Sequence, residues 1–152
     1  MRSIQPLSKS ALTVFNVITE GINDVGDHRR IDNAGKDSGI MAVVVEGVDR
    51  TPQGSLIVSV AHYYEQNGDL MADPEVTFVV AREDYVYPIS YKQAGLGIDR
   101  EYVRWEDGKV FWNLRMQNDL ARFCTTWMRN IKQQQFGGRL PKPAATPEGT
   151  SS

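Results

Sequence analysis

The run Ala61–Phe78, which reads AHYYEQNGDLMADPEVTF, places a tight turn between two apolar segments. Asn67-Gly68 favours a type I′ turn, because such a turn needs a positive φ at both central residues. Asp73-Pro74 then holds the chain extended as it enters the next segment. The run therefore predicts two antiparallel strands joined by a hairpin turn.

Further strands are predicted on both sides of this hairpin. The apolar, β-branched centre MAVVV of the first strand predicts burial on both of its faces. Pro88 pushes a later strand toward the edge of the sheet, and Asp107-Gly108 signals a second hairpin. In the strand after the turn, we expect Val76, Phe78 and Val80 to face inward. The predicted strands are Ile40–Val48, Ser55–Glu65, Glu75–Ala81, Tyr85–Tyr91, Arg100–Trp105 and Lys109–Trp112.

Two amphipathic helices are predicted, one near each end of the chain. The first runs from about Ser10 to Ile22, with Ser8 or Ser10 as its cap. The second runs from Asn113 to about Gln134. We expect Trp127 to make the main contact between this helix and the sheet. The apolar face of the second helix consists of Met116, Leu120, Phe123, Cys124, Trp127 and Ile131.

Polar and glycine-rich sequence lies between and after these elements. Asn23–Gly39 is predicted to be a long polar loop. Residues 1–136 are predicted to form a single domain, and residues 137–152 a disordered tail with little apolar surface to bury. The elements predict an α+β fold, with a mostly antiparallel sheet of five or six strands. The N-terminal and C-terminal helices pack on one face of that sheet.

The composition is that of a globular domain. The chain has 152 residues, of which 41% are hydrophobic, enough for one domain with a core. No apolar run approaches the ~18 residues that cross a membrane, and no signal peptide is recognisable, so we expect a cytoplasmic protein. The single cysteine, Cys124, excludes an internal disulfide and a thiolate metal cluster. We expect Cys124 to be a buried apolar residue.

Charge is unevenly distributed along the chain. Residues 1–112 hold 11 Lys and Arg against 17 Asp and Glu, whereas residues 113–152 hold 6 against 2. Arg115, Arg122 and Arg129 are spaced by seven and line one face of the second helix, and Lys132 extends the row. This row either binds a protein or nucleic-acid partner, or forms a solvated face on which Asp119 pairs with arginine.

The first hairpin also contains side chains that bind metals in other proteins. Asp69, Asp73 and Glu75 offer oxygen ligands for Mg²⁺ or Ca²⁺, and His62 offers a nitrogen ligand or a base. The same residues have a structural explanation, because acidic residues beside glycine and proline support turns and His62 alternates with core positions. We expect the four side chains not to face one another. We predict no catalytic residue, metal or cofactor.

Other catalytic patterns are weaker. Asp107-Gly108-Lys109 has a faint likeness to the acidic-x-Lys pattern of metal-dependent nucleases, but it is better explained as a hairpin tip. Gly95-x-Gly97 precedes no predicted helix and makes no phosphate cradle. The sequence contains no P-loop, HExxH or nucleophile elbow.

Two segments together resemble a known family. These are HYYEQNGDLMADPEVTF and WNLRMQNDLARFCTTWMRNIKQQQF. They resemble small uncharacterised proteins carried by bacterial phages, plasmids and integrative elements, over about residues 40–136. The resemblance implies a biological setting and a fold, but no reaction or ligand. Its positions here are Tyr64, Asn67, Gly68, Asp69, Asp73, Pro74, Glu75, Leu120, Phe123, Trp127 and Gln134–Phe136.

These observations lead to two hypotheses about function. The first is a non-catalytic accessory protein of a mobile genetic element, which binds a protein or nucleic acid through the basic helix and acts against or alongside host defence. The second is a metal-dependent enzyme, nuclease-like or hydrolase-like, that uses the Asp69, Asp73 and Glu75 cluster. The absence of a catalytic motif favours the first.

Overall fold

The computed structural model describes residues 3–82 and 84–142. Strands β1 to β6 form one antiparallel sheet in sequence order, and β7 pairs with β8 in a separate two-stranded sheet. The predicted α+β architecture is confirmed. The elements in chain order are α1 (Lys9–Ile18), β1 (His28–Ile31), β2 (Val43–Arg50), β3 (Leu56–Gln66), β4 (Asp69–Arg82), β5 (Tyr85–Gln93), a 3₁₀ turn (Ala94–Leu96), β6 (Ile98–Glu101), β7 (Val103–Glu106), β8 (Lys109–Trp112) and α2 (Leu114–Phe136).

The β3–β4 hairpin turns where the sequence predicts it. Asn67 has φ 54° and Gly68 has φ 85°, which are the positive values that a type I′ turn requires. Strand β4 begins at Asp69, however, and not at Glu75 as predicted. A register shift between β3 and β4, with the extra residue in β4, lets the pairing continue on both sides of Pro74. The proline therefore lies within the strand and does not delay its start.

The predicted loop Asn23–Gly39 contains a strand, β1, that the sequence does not signal. The carboxylate of Asp27 accepts hydrogen bonds from two preceding backbone N–H groups, which lowers the pKa of Asp27 and closes a turn. Gly47 of β2 then donates its N–H to the Asp27 carbonyl at 2.8 Å, and the β1–β2 ladder follows. Of the strand HRRI only Ile31 is buried, so the local sequence carries no alternating pattern.

Both helices pack on one face of the sheet, here called the helix-covered face. Phe15 of α1 contacts Phe78 of β4 with ring centroids 5.0 Å apart. Trp127 of α2 is 5% exposed and belongs to the same core cluster, as predicted. Cys124 is buried beside it. Val76 and Phe78 are fully buried in this cluster and Val80 packs against it, which confirms their inward orientation.

The opposite side, here called the open face, carries a row of directly opposed residues from β2 to β6. The centre of β2 was predicted to be buried on both faces, but Val44 there is only half-buried, and Glu46 and Val48 after it are exposed, because no helix covers this side. A smaller apolar cluster lies beyond the row, where the β7–β8 hairpin packs through Val103 against Ile57 and Val79. The row consists of Glu46, Ser59, Thr77, Ser90 and Glu101.

Pro88 was predicted to push β5 toward the edge of the sheet, but β5 is not an edge strand. Strand β5 pairs with β4 on one side and, over Ser90–Gln93, with β6 on the other. Pro88 instead lies at a register shift in the β4 ladder. Its carbonyl accepts a hydrogen bond from the Gln117 side chain of α2. A side chain from the helix thus takes the place of a neighbouring strand at this point.

Helix α2 buries four of the six residues predicted for its apolar face, but not the other two. Met116 and Phe123 are each 38% exposed, whereas Met128 and the side chains of Gln117 and Gln135 are buried. The two glutamines are buried because their amides bond to backbone: Gln117 to residues 5 and 88, and Gln135 to residues 33, 34 and 41. The buried stripe therefore overlaps the predicted one and is rotated from it by about 50°, or about half a residue.

The two ends of α2 are capped. The Asn113 side chain accepts a hydrogen bond from the backbone N–H of Met116 at 3.1 Å, and Gly137 ends the helix with φ 61°. Leu140 packs back against the core cluster, so the chain just after α2 belongs to the domain and not to the predicted tail. Residues 143–152 of that tail lie outside the described residues. Neither described helix has the length and apolarity that a bilayer crossing requires.

Candidate functional site

His62 is part of the core, on the helix-covered face. Its ring lies edge-on to Trp127 with centroids 5.6 Å apart, and its Nδ1 is 3.0 Å from the Ala42 carbonyl oxygen. Burial lowers the pKa of His62, although the bond to Ala42 and the charge of Asp73 oppose that shift. The ring is therefore held neutral within the core.

The acidic residues of the same hairpin are distributed over different surroundings. The Asp73 carboxylate accepts a hydrogen bond from the Gln93 amide at 2.9 Å. Glu75 lies on the open face, where it accepts a hydrogen bond from the Ser59 hydroxyl at 2.7 Å. Asp69 is exposed at the first position after the turn. The structure thus places Asp73 near His62 and separates both from Glu75.

This arrangement does not form a metal centre. Within residues 3–82 and 84–142, no group of three or more His, Cys, Asp or Glu side chains is placed to hold a metal ion. Asp107 lies at the tip of the β7–β8 hairpin with φ 52°, and Lys109, two residues later, is exposed. The metal-dependent hypotheses are left without a convergent ligand set among these residues. Burial also raises the pKa of Cys124, which makes it a poor nucleophile.

The basic row on α2 is exposed to solvent. Arg115, Arg122 and Arg129 lie on the outer side of the helix, and Lys132 is half-buried at the end of the row. Seven residues of helix span about 10 Å, so the three arginines cover about 21 Å. Asp119 forms an ion pair with Arg122 at 3.5 Å, an exposed pair that contributes little to stability.

A polar groove of about 490 Å³ runs beside Arg122, between α2 and the segment that precedes α1. The Asn118 amide donates a hydrogen bond to the Ser3 carbonyl at 2.9 Å on this side, and the Thr125 hydroxyl lies 3.3 Å from that of Ser8. Hydrogen-bonding groups therefore border the arginine row. The lining residues are Gln5, Pro6, Leu7, Ser8, Asn118, Ala121, Arg122 and Thr125.

A second, apolar groove of about 230 Å³ borders the other side of the row. We call it the aromatic groove. Phe123 forms its centre, stacked on Trp127 at 5.8 Å and met edge-on by Tyr91 at 5.6 Å. Met116 and Phe123 were predicted to be core residues. The sequence signal for their exposure was their spacing of seven at one margin of the apolar stripe. The groove is lined by Tyr91, Tyr102, Met116, Asp119, Leu120 and Phe123.

The open face of the sheet is acidic. A groove of about 320 Å³ there contains four carboxylates and one cation, Lys92. Burial raises the pKa of Tyr63, and the charges of Glu75 and Glu46 raise it further. The negative charge of the first 112 residues is thus concentrated in part on the side away from the arginine row. The four carboxylates belong to Asp49, Glu75, Asp99 and Glu101.

Comparison with known proteins gives a family and no individual relative. A family model described as Domain of unknown function (DUF6908) matches residues 12–137. The match includes most of α1, which the resemblance seen in the sequence left out. No curated protein and no solved structure gave a match. Because the matched range covers well over half of the chain, the protein belongs to this family of domains of unknown function.

Proposed function

We propose that this protein is a non-catalytic binding protein that recognises an acidic partner through the arginine row of α2. The observation that carries the proposal is the exposure of Arg115, Arg122 and Arg129 on one rigid helix face. Arginine binds carboxylates and phosphates with paired, charge-assisted hydrogen bonds. A row of three at a spacing of about 10 Å matches an extended acidic surface better than a small ligand.

The charge of the rest of the molecule favours a protein partner over a nucleic acid. Nucleic-acid-binding domains are commonly basic overall, whereas this chain has a net charge of −2. The acidic open face would repel any polyanion long enough to reach around the domain. An acidic patch on a folded protein contacts only the arginine row and does not reach the acidic open face. Binding of DNA or RNA is the second outcome that the test must distinguish.

The biological setting is also part of the proposal. The two segments that resemble proteins of phages, plasmids and integrative elements support an accessory role in a mobile genetic element. Such a protein acts in the cytoplasm of its bacterial host, against or alongside host defence. The single, buried Cys124 suits a reducing compartment.

The test removes the charge of the row and leaves the fold in place. The variant carries Arg115→Gln, Arg122→Gln and Arg129→Gln, and serves as bait in a pull-down from bacterial lysate with mass spectrometry. A matched control carries Arg30→Gln, Lys36→Gln and Arg82→Gln, which removes three exposed cations that lie outside α2. We expect the row variant to lose the partners that wild type and control retain.

Two results would contradict the proposal. If row variant, control and wild type recover the same partners, the arginine row is a solvated helix face. If the row variant instead loses affinity for a fluorescent twenty-nucleotide DNA in anisotropy titrations, while its protein partners are unchanged, the partner is a nucleic acid. Thermal unfolding of all three proteins establishes that the substitutions act on binding and not on folding.

A further inference from the structure

The aromatic groove and the arginine row lie side by side on one surface. Met116 and Phe123 are large apolar residues, and each directly follows an arginine of the row in the sequence: Met116 follows Arg115, and Phe123 follows Arg122. Exposed apolar groups that border charged ones are a common feature of protein interfaces. The arginine row is thus one side of a larger surface with an apolar centre.

The groove is rigid because its rings are already packed. Phe123 stacks on Trp127, which is fixed in the core, and Tyr91 meets Phe123 edge-on at 89°. The Tyr91 hydroxyl donates a hydrogen bond to the Gln93 side chain at 2.6 Å, and Gln93 in turn bonds to Asp73. A preformed pocket loses little conformational entropy when a ligand enters.

Positive charge borders the groove on two sides. Arg115 and Arg122 come from α2. Arg100 of β6 lies directly opposite Tyr91 in the β5–β6 ladder, so its side chain is on the same side of the sheet as the Tyr91 ring. Asp119 is the acidic residue of the lining and pairs with Arg122, and its single charge is outweighed by the three arginines. The border of the groove is therefore complementary to a ligand with carboxylates on both sides of an apolar centre.

We propose that the aromatic groove binds an acidic amphipathic segment of a partner protein, whose large apolar side chain enters between Tyr91, Met116 and Phe123 while flanking Asp or Glu residues reach the arginines. This inference rests on the proposed function and specifies its partner. A cavity of about 150 Å³ accommodates benzene, so a groove of about 230 Å³ accommodates one leucine or aromatic side chain. Tyr, Met, Phe and Arg are also the residues enriched in protein interfaces.

The same groove is poorly suited to the bases of a single-stranded nucleic acid. Base stacking requires an open aromatic face, but one face of Phe123 is covered by Trp127 and the Tyr91 ring packs against Phe123 at an interplanar angle of 89°. Met116 and Leu120 supply the rest of the lining, and aliphatic side chains favour an aliphatic or aromatic anchor residue. The shape and lining of the groove thus point to a protein segment.

The experiment selects peptides without assuming a partner. A phage-displayed library of random twelve-residue peptides is panned on the immobilised full-length protein, with an albumin-coated surface as background. We expect enrichment of sequences with a large apolar residue flanked by Asp or Glu. The enriched peptides are then synthesised and titrated against the variants Met116→Ser and Phe123→Ser, for which we expect about tenfold weaker binding, as for truncation of an interface anchor.

Matched controls distinguish the loss of the groove from the loss of any exposed apolar side chain and from the loss of the fold. Leu96 is 67% exposed in the 3₁₀ turn, and Leu96→Ser removes an exposed apolar side chain outside the groove without an expected loss of binding. Met116→Ser tests the groove independently of Phe123, whose ring also supports Trp127. Thermal unfolding of each variant identifies any loss of binding that arises from loss of fold.

The results distinguish this inference from the proposed function. If the arginine-row variant loses binding while Met116→Ser and Phe123→Ser retain it, the row binds the partner and the groove does not. If the groove variants lose binding and the row variant retains it, the proposed use of the row is wrong. Absence of enrichment over albumin, or enrichment of peptides without acidic residues, would overturn the inference.

Discussion

The two faces of the six-stranded sheet are made by the same strands but stabilised differently. On the helix-covered face, Val60, Val76 and Phe78 are fully buried beneath two helices. On the open face, the residues adjacent to them in the sequence are Ser59, Thr77 and Glu75, which form side-chain hydrogen bonds across the strands. Strand alternation alone thus separates a dry core from a hydrogen-bonded surface.

This difference shows where the stability of the domain resides. Burial of apolar surface is the main driving force of folding, and most of that burial lies beneath α1 and α2. The open face has a smaller apolar cluster around Val79 and Ile89, covered by the β7–β8 hairpin. Substitutions matched between the two faces, Phe78 with Ile89 and His62 with His28, should therefore have unequal effects.

The largest effect is expected for Phe78→Ala on the helix-covered face. Phe78 is fully buried and packs on Phe15, and truncation of a core phenylalanine costs about 3–5 kcal/mol. The matched truncation Ile89→Ala on the open face should cost about 2 kcal/mol, the lower end of the range for isoleucine. Urea unfolding followed by circular dichroism measures both. Equal losses would show that the open-face cluster is as important as the main core.

An intermediate effect is expected for Gln117→Leu. The Gln117 amide donates to the carbonyls of Gln5 and Pro88 and accepts from the Gln5 N–H. A leucine would fill the space but leave these backbone groups unpaired, at a cost of about 1–3 kcal/mol. Gln134→Leu, on the exposed side of the same helix, should change stability by less than about 0.5 kcal/mol. Similar values for the two variants would contradict the structural role of Gln117.

Gln117 also shows what the sequence could not reveal. Local signals were sufficient for the presence of both helices and for the hairpin turns, although α1 ends at Ile18 and not at Ile22, because capping residues, glycines and apolar periodicity act within a few residues. Burial of Gln117 and Gln135 depends on backbone partners far away in the chain. A helical wheel assigns glutamine to the surface and apolar residues to the core. It therefore placed Gln117 and Gln135 outside, and Met116 and Phe123 inside.

The same limitation applies to β1 and to the candidate sites. The strand HRRI forms because β2 offers it a partner after the Asp27 turn, and pairing of this kind has no local signature. The arginine row was visible from its spacing of seven. The aromatic groove was not, because Tyr91 comes from β5 and its contact with Phe123 joins distant parts of the chain.

The smallest expected effect is on the pH dependence of stability. It distinguishes the two histidines of the chain, one on each face of the sheet. Burial lowers the pKa of His62 in the folded protein below its ordinary value of 6.5. The unfolded chain therefore binds a proton first as the pH falls. The contribution of neutral His62 is complete above pH 6.5 and is progressively lost below it, with a slope of at most about 1.4 kcal/mol per pH unit.

His28 provides the matched control, because it lies opposite Glu46 on the open face and is exposed. Urea unfolding between about pH 5.5 and 7, above the range in which most carboxylates titrate, should give a sloping profile for wild type and for His28→Gln. The profile of His62→Gln should be flatter, since its amide can still donate to the Ala42 carbonyl but does not titrate. A slope that disappears with His28→Gln instead would place the pH-sensitive group on the open face and reverse the assignment.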